Sequence, residues 1–334
     1  MMRTKKKSGI NKDYFVSKSN LALLEACVET NNPALLIGET GTGKTTLIRE
    51  VAKEYEKTLI RISVNGSMGV EEILGKWLVE KGTTKWQDGI LTMALRQGHW
   101  VVMDEINAAL PEILFVLHSL LDDDRKIFLP EKDNEIVTPH AEFRFFATMN
   151  PPEEYAGTKD MNKALMSRFT AVLNVEVLSE VNEVKLLINK GAEENLAYKL
   201  VRLAKELRDE KSKDNIFYFC STRDLVQAVV LIKQGLKLSD AVTGSIVNKM
   251  SDKEFKVVRP KFNAVIDDKK TLPISIEKMV ETIEKYDSQV EKMKLEYEMK
   301  LKKKEDEIRA TIGSEISDKA TEELLSKIAG LVKK

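Results

Sequence analysis

Cysteine and histidine are scarce: two cysteines and three histidines in 334 residues. Cys27 and Cys220 are too few and too isolated for a disulfide framework, and each lies in an apolar neighbourhood, so buried thiols are expected. His99, His118 and His140 lack metal-ligand spacing and read as structural. A charge excess is missing as well, since Lys+Arg and Asp+Glu both number 53 and the net charge is +0. No overall field draws the chain onto nucleic acid or an anionic membrane. The opening stretch carries Arg3, Lys5, Lys6 and Lys7 with no long apolar run behind them, which excludes a signal sequence or a membrane span there. Residues 1–12 read as a disordered basic tail of a cytoplasmic protein.

What is present is a phosphate-binding pattern. With 43% hydrophobic residues the chain can bury a sizeable core, and its length predicts more than one domain. Gly38-Glu39-Thr40-Gly41-Thr42-Gly43-Lys44-Thr45 fits G-x-x-x-x-G-K-[ST], between the apolar run Ala34–Ile37 and a helical stretch beginning at Thr46. The glycines let successive N–H groups curl around phosphates, and the helix adds its positive end. Lys44 supplies a point charge and Thr45 a magnesium ligand. The candidate nucleotide-binding set is Gly38, Glu39, Thr40, Gly41, Thr42, Gly43, Lys44, Thr45, Thr46 and Asp104, for ATP with Mg2+.

Short β-rich runs at Ala34–Ile37, Leu59–Val64, Trp100–Met103, Phe143–Thr148 and Ala171–Val175 alternate with helical patterns. Leu47, Val51 and Tyr55 form one such pattern, and Ile113, Leu114, Leu117, Leu120 and Leu121 another. The alternation predicts an α/β fold with a parallel sheet covered on both faces. The third run stops at Asp104-Glu105. Two carboxylates at the end of an apolar strand, in the sheet that carries the phosphate loop, read as a magnesium ligand acting through water (Asp104) and a water-polarising group (Glu105). Asn150 follows the fourth run, where it can reach the γ-phosphate or the water. Arg168 ends a helix just before the last run.

These elements together resemble the AAA+ ATPases, and within them the MoxR, CbbQ/NorQ and CobS-like branch related to midasin and dynein. The resemblance runs from Leu21 to Gly235. It rests on Gly38–Thr45 as Walker A, Val101–Asn107 as Walker B, Phe143–Pro151 as sensor 1, Ala164–Phe169 as the arginine-finger box and Ser221–Leu225 as sensor 2. It implies an ATPase assembled as a homo-oligomeric, usually hexameric ring. Asn150 is then sensor 1, Arg168 reaches into the neighbour's site, and Arg223 contacts the γ-phosphate from the lid of its own subunit.

Residues 76–89, with Trp77 and Trp86, read as two short strands around a Gly-Thr-Thr turn, similar to the helix-2 insert of this branch. Residues 125–142 read as a second hairpin, similar to its pre-sensor-1 insert. Both are expected to face the pore or the substrate, because Trp77 and Trp86 are costly to leave exposed without a partner. The nucleotide-binding core thus spans 13–178 and a helical lid 179–250. In the lid, Leu196, Leu200, Leu203 and Leu207 form one apolar stripe and Leu225, Ala228, Val229 and Ile232 another. Ser221 to Asp224 fits a capping box, and Gly235 marks the stop. Residues 251–275 read as irregular with one strand around Lys256–Val258, and Ile276 onward reads as a helical, partner-docking extension completing 251–334.

The branch implies a motor that remodels a protein substrate, with a von Willebrand factor A domain partner on a separate chain, since no Asp-x-Ser-x-Ser motif occurs here. The alternative is a nucleic-acid motor of the restriction-translocase kind, against which stand the balanced charge and Asn150-Pro151-Pro152, which fits the ATP-using members.

Overall fold

The computed structural model describes residues 17–151 and 161–266, with 300 and 304. The helical reading from Ile276 onward lies outside the described residues. The order is α1 (Lys18–Glu29), β1 (Ala34–Ile37), α2 (Lys44–Glu54), β2 (Leu59–Ser63), α3 (Val70–Leu74), β3 (Gly75–Glu80), β4 (Thr83–Asp88), α4 (Ile90–Gln97), β5 (Trp100–Asp104), α5 (Pro111–Leu121), β6 (Ile127–Leu129) and β7 (Glu135–Val137). There follow β8 (Arg144–Met149), α6 (Lys163–Met166), β9 (Ala171–Asn174), α7 (Glu180–Asn189), α8 (Glu194–Ser212), α9 (Thr222–Lys233), α10 (Leu238–Ser245) and α11 (Asp252–Ile266). No described helix is long and apolar enough to cross a membrane.

Five strands form one parallel sheet in the order β2-β5-β8-β1-β9. Side chains alternate faces along a strand, so each central strand must be apolar throughout once helices cover both sides. Leu35, Val101, Met103, Phe145 and Ala147 point to one face and pack with Leu91 and Leu95 of α4 and Ile113 and Leu117 of α5. Ala34, Leu36, Trp100, Val102 and Phe146 point to the other and pack with Leu24 of α1 and Leu47, Ile48 and Val51 of α2. Burying each large side chain contributes about 1.5–3 kcal/mol. The core therefore lies in two layers flanking the sheet, and the sheet's carboxyl edge is left as a platform.

Both hairpins of the sequence reading are present, but the first turns one residue pair earlier than expected. Its turn is Lys81-Gly82, both with positive φ (50° and 77°), the type I′ arrangement that matches strand twist, and Thr83 and Thr84 lie in β4. Trp77 remains 45% exposed and Trp86 is half-buried. They face each other across the ladder, edge to face with centroids 5.6 Å apart. Trp77 also donates Nε1–H to Glu131 O at 2.8 Å, tying this hairpin to the β6–β7 hairpin.

After β9 the chain turns to helices α7 to α11. Glu183 is fully buried and receives a bidentate pair from Arg208, with N–O distances of 2.8 and 2.9 Å, and the Thr222 hydroxyl at 2.5 Å. Burial alone would lower the Arg208 pKa, yet the Glu183 carboxylate outweighs it and the pKa is raised. This network pins α7, α8 and α9 together. Over residues 252–266 the irregular stretch and strand expected there are replaced by α11, whose start is capped reciprocally: Ser251 N–H donates to Glu254 Oε2 at 2.8 Å and Glu254 N–H donates to Ser251 Oγ at 3.4 Å; residues 267–275 lie outside the described residues. The signal was legible as Ser-x-x-Glu. Lys261 then ties α11 to α8 through Glu206 (2.9 Å) and Glu210 (2.7 Å).

Truncating Glu183 to Ala strands the buried Arg208 charge and is expected to cost about 3–5 kcal/mol, read by urea unfolding. A second outcome concerns acid. Hydrogen bonds from Lys261 and Asn215 hold the Glu210 carboxyl down at about 2. A carboxyl depressed on folding contributes stability above its unfolded value, near 4.3 for Glu, and loses it as pH falls through the folded one. Glu210→Gln should flatten the fall of melting temperature between about pH 4.3 and 2, whereas an unchanged slope would refute the linkage.

Candidate functional site

The site begins where β1 runs out at Ile37. The loop Gly38–Gly43 wraps back over the sheet edge, and α2 starts at Lys44, earlier than the Thr46 expected, because Gly43 adopts a left-handed conformation (φ 96°) that caps it without a side chain. No side-chain cap occupies the first-turn N–H groups, so they remain available to an anion. Gly41 is required for a different reason: a Cβ there would lie 2.5 Å from Ser221 Oγ and 3.2 Å from Arg223 Cβ. The phosphate loop and the first turn of α9 are in close contact, and any side chain at 41 would wedge the lid off the loop.

Lys44 is 7% exposed and its ammonium donates to Gly38 O (2.7 Å), Glu39 O (2.9 Å) and Asn150 Oδ1 (2.9 Å). Burial pulls its pKa down to about 8, against the opposing pull of Glu39 and Asp104. Asn150 reaches it because β8 lies directly beside β1, with Ile37 opposite Met149. The Asn150 carbonyl in turn accepts from Asn107 Nδ2 at 3.3 Å.

Asp104 ends β5, the neighbour of β8, and its buried carboxylate accepts from Thr45 Oγ1 and Thr148 Oγ1, both at 2.8 Å, and from Arg61 Nε. Thr45 Oγ1 and Asp104 Oδ1 form a pair of hard oxygens suited to magnesium, directly or through water, a cation that asks few ligands of the protein beyond those of a phosphate substrate. No cluster of three or more potential metal-binding acids, histidines or cysteines occurs among the described residues. Next to it, Glu105 has a left-handed backbone (φ 59°) and is exposed, so its carboxylate leaves the sheet on a turn instead of continuing the buried strand.

The lid completes one side. Lys211 of α8 pairs with Glu39 at 3.0 Å, and both side chains are largely covered. Arg223 stands at the start of α9, whose capping box is formed by Ser221 and Asp224 as the sequence predicts. It lines an open cavity of ≈420 Å³ with Thr40, Lys211 and Gln227. The structure thus brings Lys44, Thr45, Asp104, Asn150 and the loop glycines together, with Glu105 beside them and Arg223 above. Arg168 stands apart from this set: it donates to Ala164 O (2.7 Å), lies 3.3 Å from Asp122 at the end of α5, and its buried Nε has no hydrogen-bond partner. Sequence reasoning missed Arg61, Thr148, Lys211 and Asn107. Of these, Thr148 and Asn107 lay inside segments the sequence singled out, just before Met149-Asn150 and at the end of Val101–Asn107, whereas nothing marked Arg61 or Lys211.

Two family models match in tandem: the AAA domain of the dynein-related subfamily over residues 33–169, and the CbbQ/NirQ/NorQ C-terminal domain over residues 183–259. The denitrification regulatory protein NirQ of Pseudomonas aeruginosa is 31% identical over 72% of this chain and 91% of its own. Protein CbbQ of Hydrogenophilus thermoluteolus is 31% identical over 67% and 82%. Midasin of Dictyostelium discoideum is 38% identical over 59% of this chain, which spans only 3% of that protein. The first model covers the phosphate loop, the buried lysine and the acidic strand end, the second covers the helices that follow, and the chain belongs to the AAA+ ATPases, in the CbbQ/NirQ/NorQ branch of the dynein-related subfamily.

Proposed function

We propose that this ATPase works as a ring of identical subunits, hexameric as the family resemblance implies, and uses ATP hydrolysis to remodel a partner protein. The observation that carries the reading is the division of the arginines: Arg223 stands against its own phosphate loop, whereas Arg168 contacts Ala164 within α6 and Asp122 just after α5. An arginine that serves hydrolysis from that position serves a neighbour.

In the proposed site, N–H groups from Gly41 to Thr45 cradle the β- and γ-phosphates, and Lys44 exchanges part of its present hydrogen bonding for phosphate oxygens. Thr45 and Asp104 hold Mg2+, which when bound neutralises phosphate charge. Glu105 accepts a proton as a water oxygen attacks the γ-phosphorus; the bond to the bridging oxygen breaks and ADP leaves. Asn150 orients that water, and Arg223 and the neighbour's Arg168 stabilise the charge that develops. The Glu39–Lys211 pair and the Gly41–Ser221 contact give the lid two points at which to register an occupied loop. We place the lid at 179–266, since α11 is tied to α8. The hairpin tips, where Val79 is 77% exposed, supply apolar contacts for the substrate, and a separate von Willebrand factor A domain protein is the partner implied by the resemblance.

Two outcomes test the reading. Glu105→Gln should bind ATP but hydrolyse it at least about a hundredfold more slowly, while Lys44→Ala should lose binding, both read by nucleotide titration and phosphate release. Full turnover by Glu105→Gln would remove it from the chemistry. Mixed Arg168→Ala and Lys44→Ala subunits should recover part of the activity that each lacks alone, because some interfaces pair an intact loop with an intact arginine. Inactive mixed rings, verified by light scattering, would show that Arg168 does not act across an interface.

A further inference from the structure

Asp104 accepts more than its proposed role requires. One carboxylate oxygen is oriented by the Thr45 and Thr148 hydroxyls, and the other is taken by Arg61 of the edge strand β2. The carboxylate side chain is 5% exposed and the arginine 56%. A carboxylate this deep needs a compensating charge. Lys44, the other nearby cation, is spent on Gly38, Glu39 and Asn150. Arg61 also shares an open cavity of ≈350 Å³ with Arg49, Lys53 and Lys57, the two lysines being paired with Glu50 and Glu142.

We propose that Arg61 is a positioning residue that opposes magnesium at Asp104: the guanidinium holds Oδ2 while the metal entering with nucleotide would use the Oδ1 side beside Thr45, so two cations must share one carboxylate. This rests on the reading of Asp104 given above. A guanidinium and a divalent cation repel each other when they share one carboxylate, and the half-exposed arginine is the one able to move into solvent. The consequence is a site that holds its metal-nucleotide complex less tightly than its ligands alone would allow, which favours release after each turnover.

The test is an equilibrium titration of Mg2+ into the full chain with a fluorescent methylanthraniloyl-ADP as probe, alongside melting temperature. Arg61→Gln should lower the magnesium concentration at half-saturation about fivefold, leaving probe affinity in excess chelator unchanged. Arg61→Lys, a shorter arm with a point charge, should shift it less in the same direction. A folded Arg61→Gln with an unmoved or raised midpoint overturns the proposal. If that variant does not fold, the lysine variant decides by the same criterion. A wild-type chain that binds no probe overturns the proposed function and this inference together, whereas metal-dependent binding with an unmoved midpoint overturns this inference alone.

Discussion

The buried ammonium of Lys44 is the constraint around which the site is arranged. A charge that is 7% exposed is tolerable only when its donors are met, and the three acceptors come from two different parts of the chain: the loop after β1 and the end of β8. Meeting them fixes the height of the phosphate loop above the sheet and aims Asn150 inward. β8 lies between β1 and β5, so the strand that delivers Asn150 to Lys44 also sets Thr148 against Asp104. Binding of phosphate at Lys44 is therefore reported directly to the strand ends that carry the remaining polar groups.

A second consequence concerns the lid. Its helices are locked to one another by the Arg208–Glu183–Thr222 network, which leaves the lid able to move as a unit. It meets the phosphate loop at the Glu39–Lys211 pair and at the close approach of Gly41 to Ser221. The two hairpins are braced against each other through Trp77, which pairs with Trp86 and donates to Glu131 O while staying 45% exposed.

Much of this was legible in the chain. The glycine spacing, the Lys-Thr pair and the apolar strand ending in two acids are local patterns whose physics is complete within a dozen residues, and so are the type I′ hairpin and the capping box at Ser221. The reading failed where a local signal was overlooked, as in Ser251–Glu254, or misplaced, as in the first hairpin, whose turn is Lys81-Gly82 and not Gly-Thr-Thr.

Sequence by itself determined that the chain binds phosphate, that its core is a parallel sheet and that a helical lid follows, because those properties depend on periodicity and on neighbours within one turn or strand. Only tertiary structure decided what surrounds Asp104. Arg61, Thr148 and Thr45 lie 43, 44 and 59 residues from it, and nothing local marks an edge-strand arginine as a counter-ion. Likewise, that Arg223 lies against its own phosphate loop while Arg168 pairs with Asp122 depends on how the helices are carried by the sheet. Such pairings are set by strand order, which the hydrophobic pattern of each separate strand does not encode.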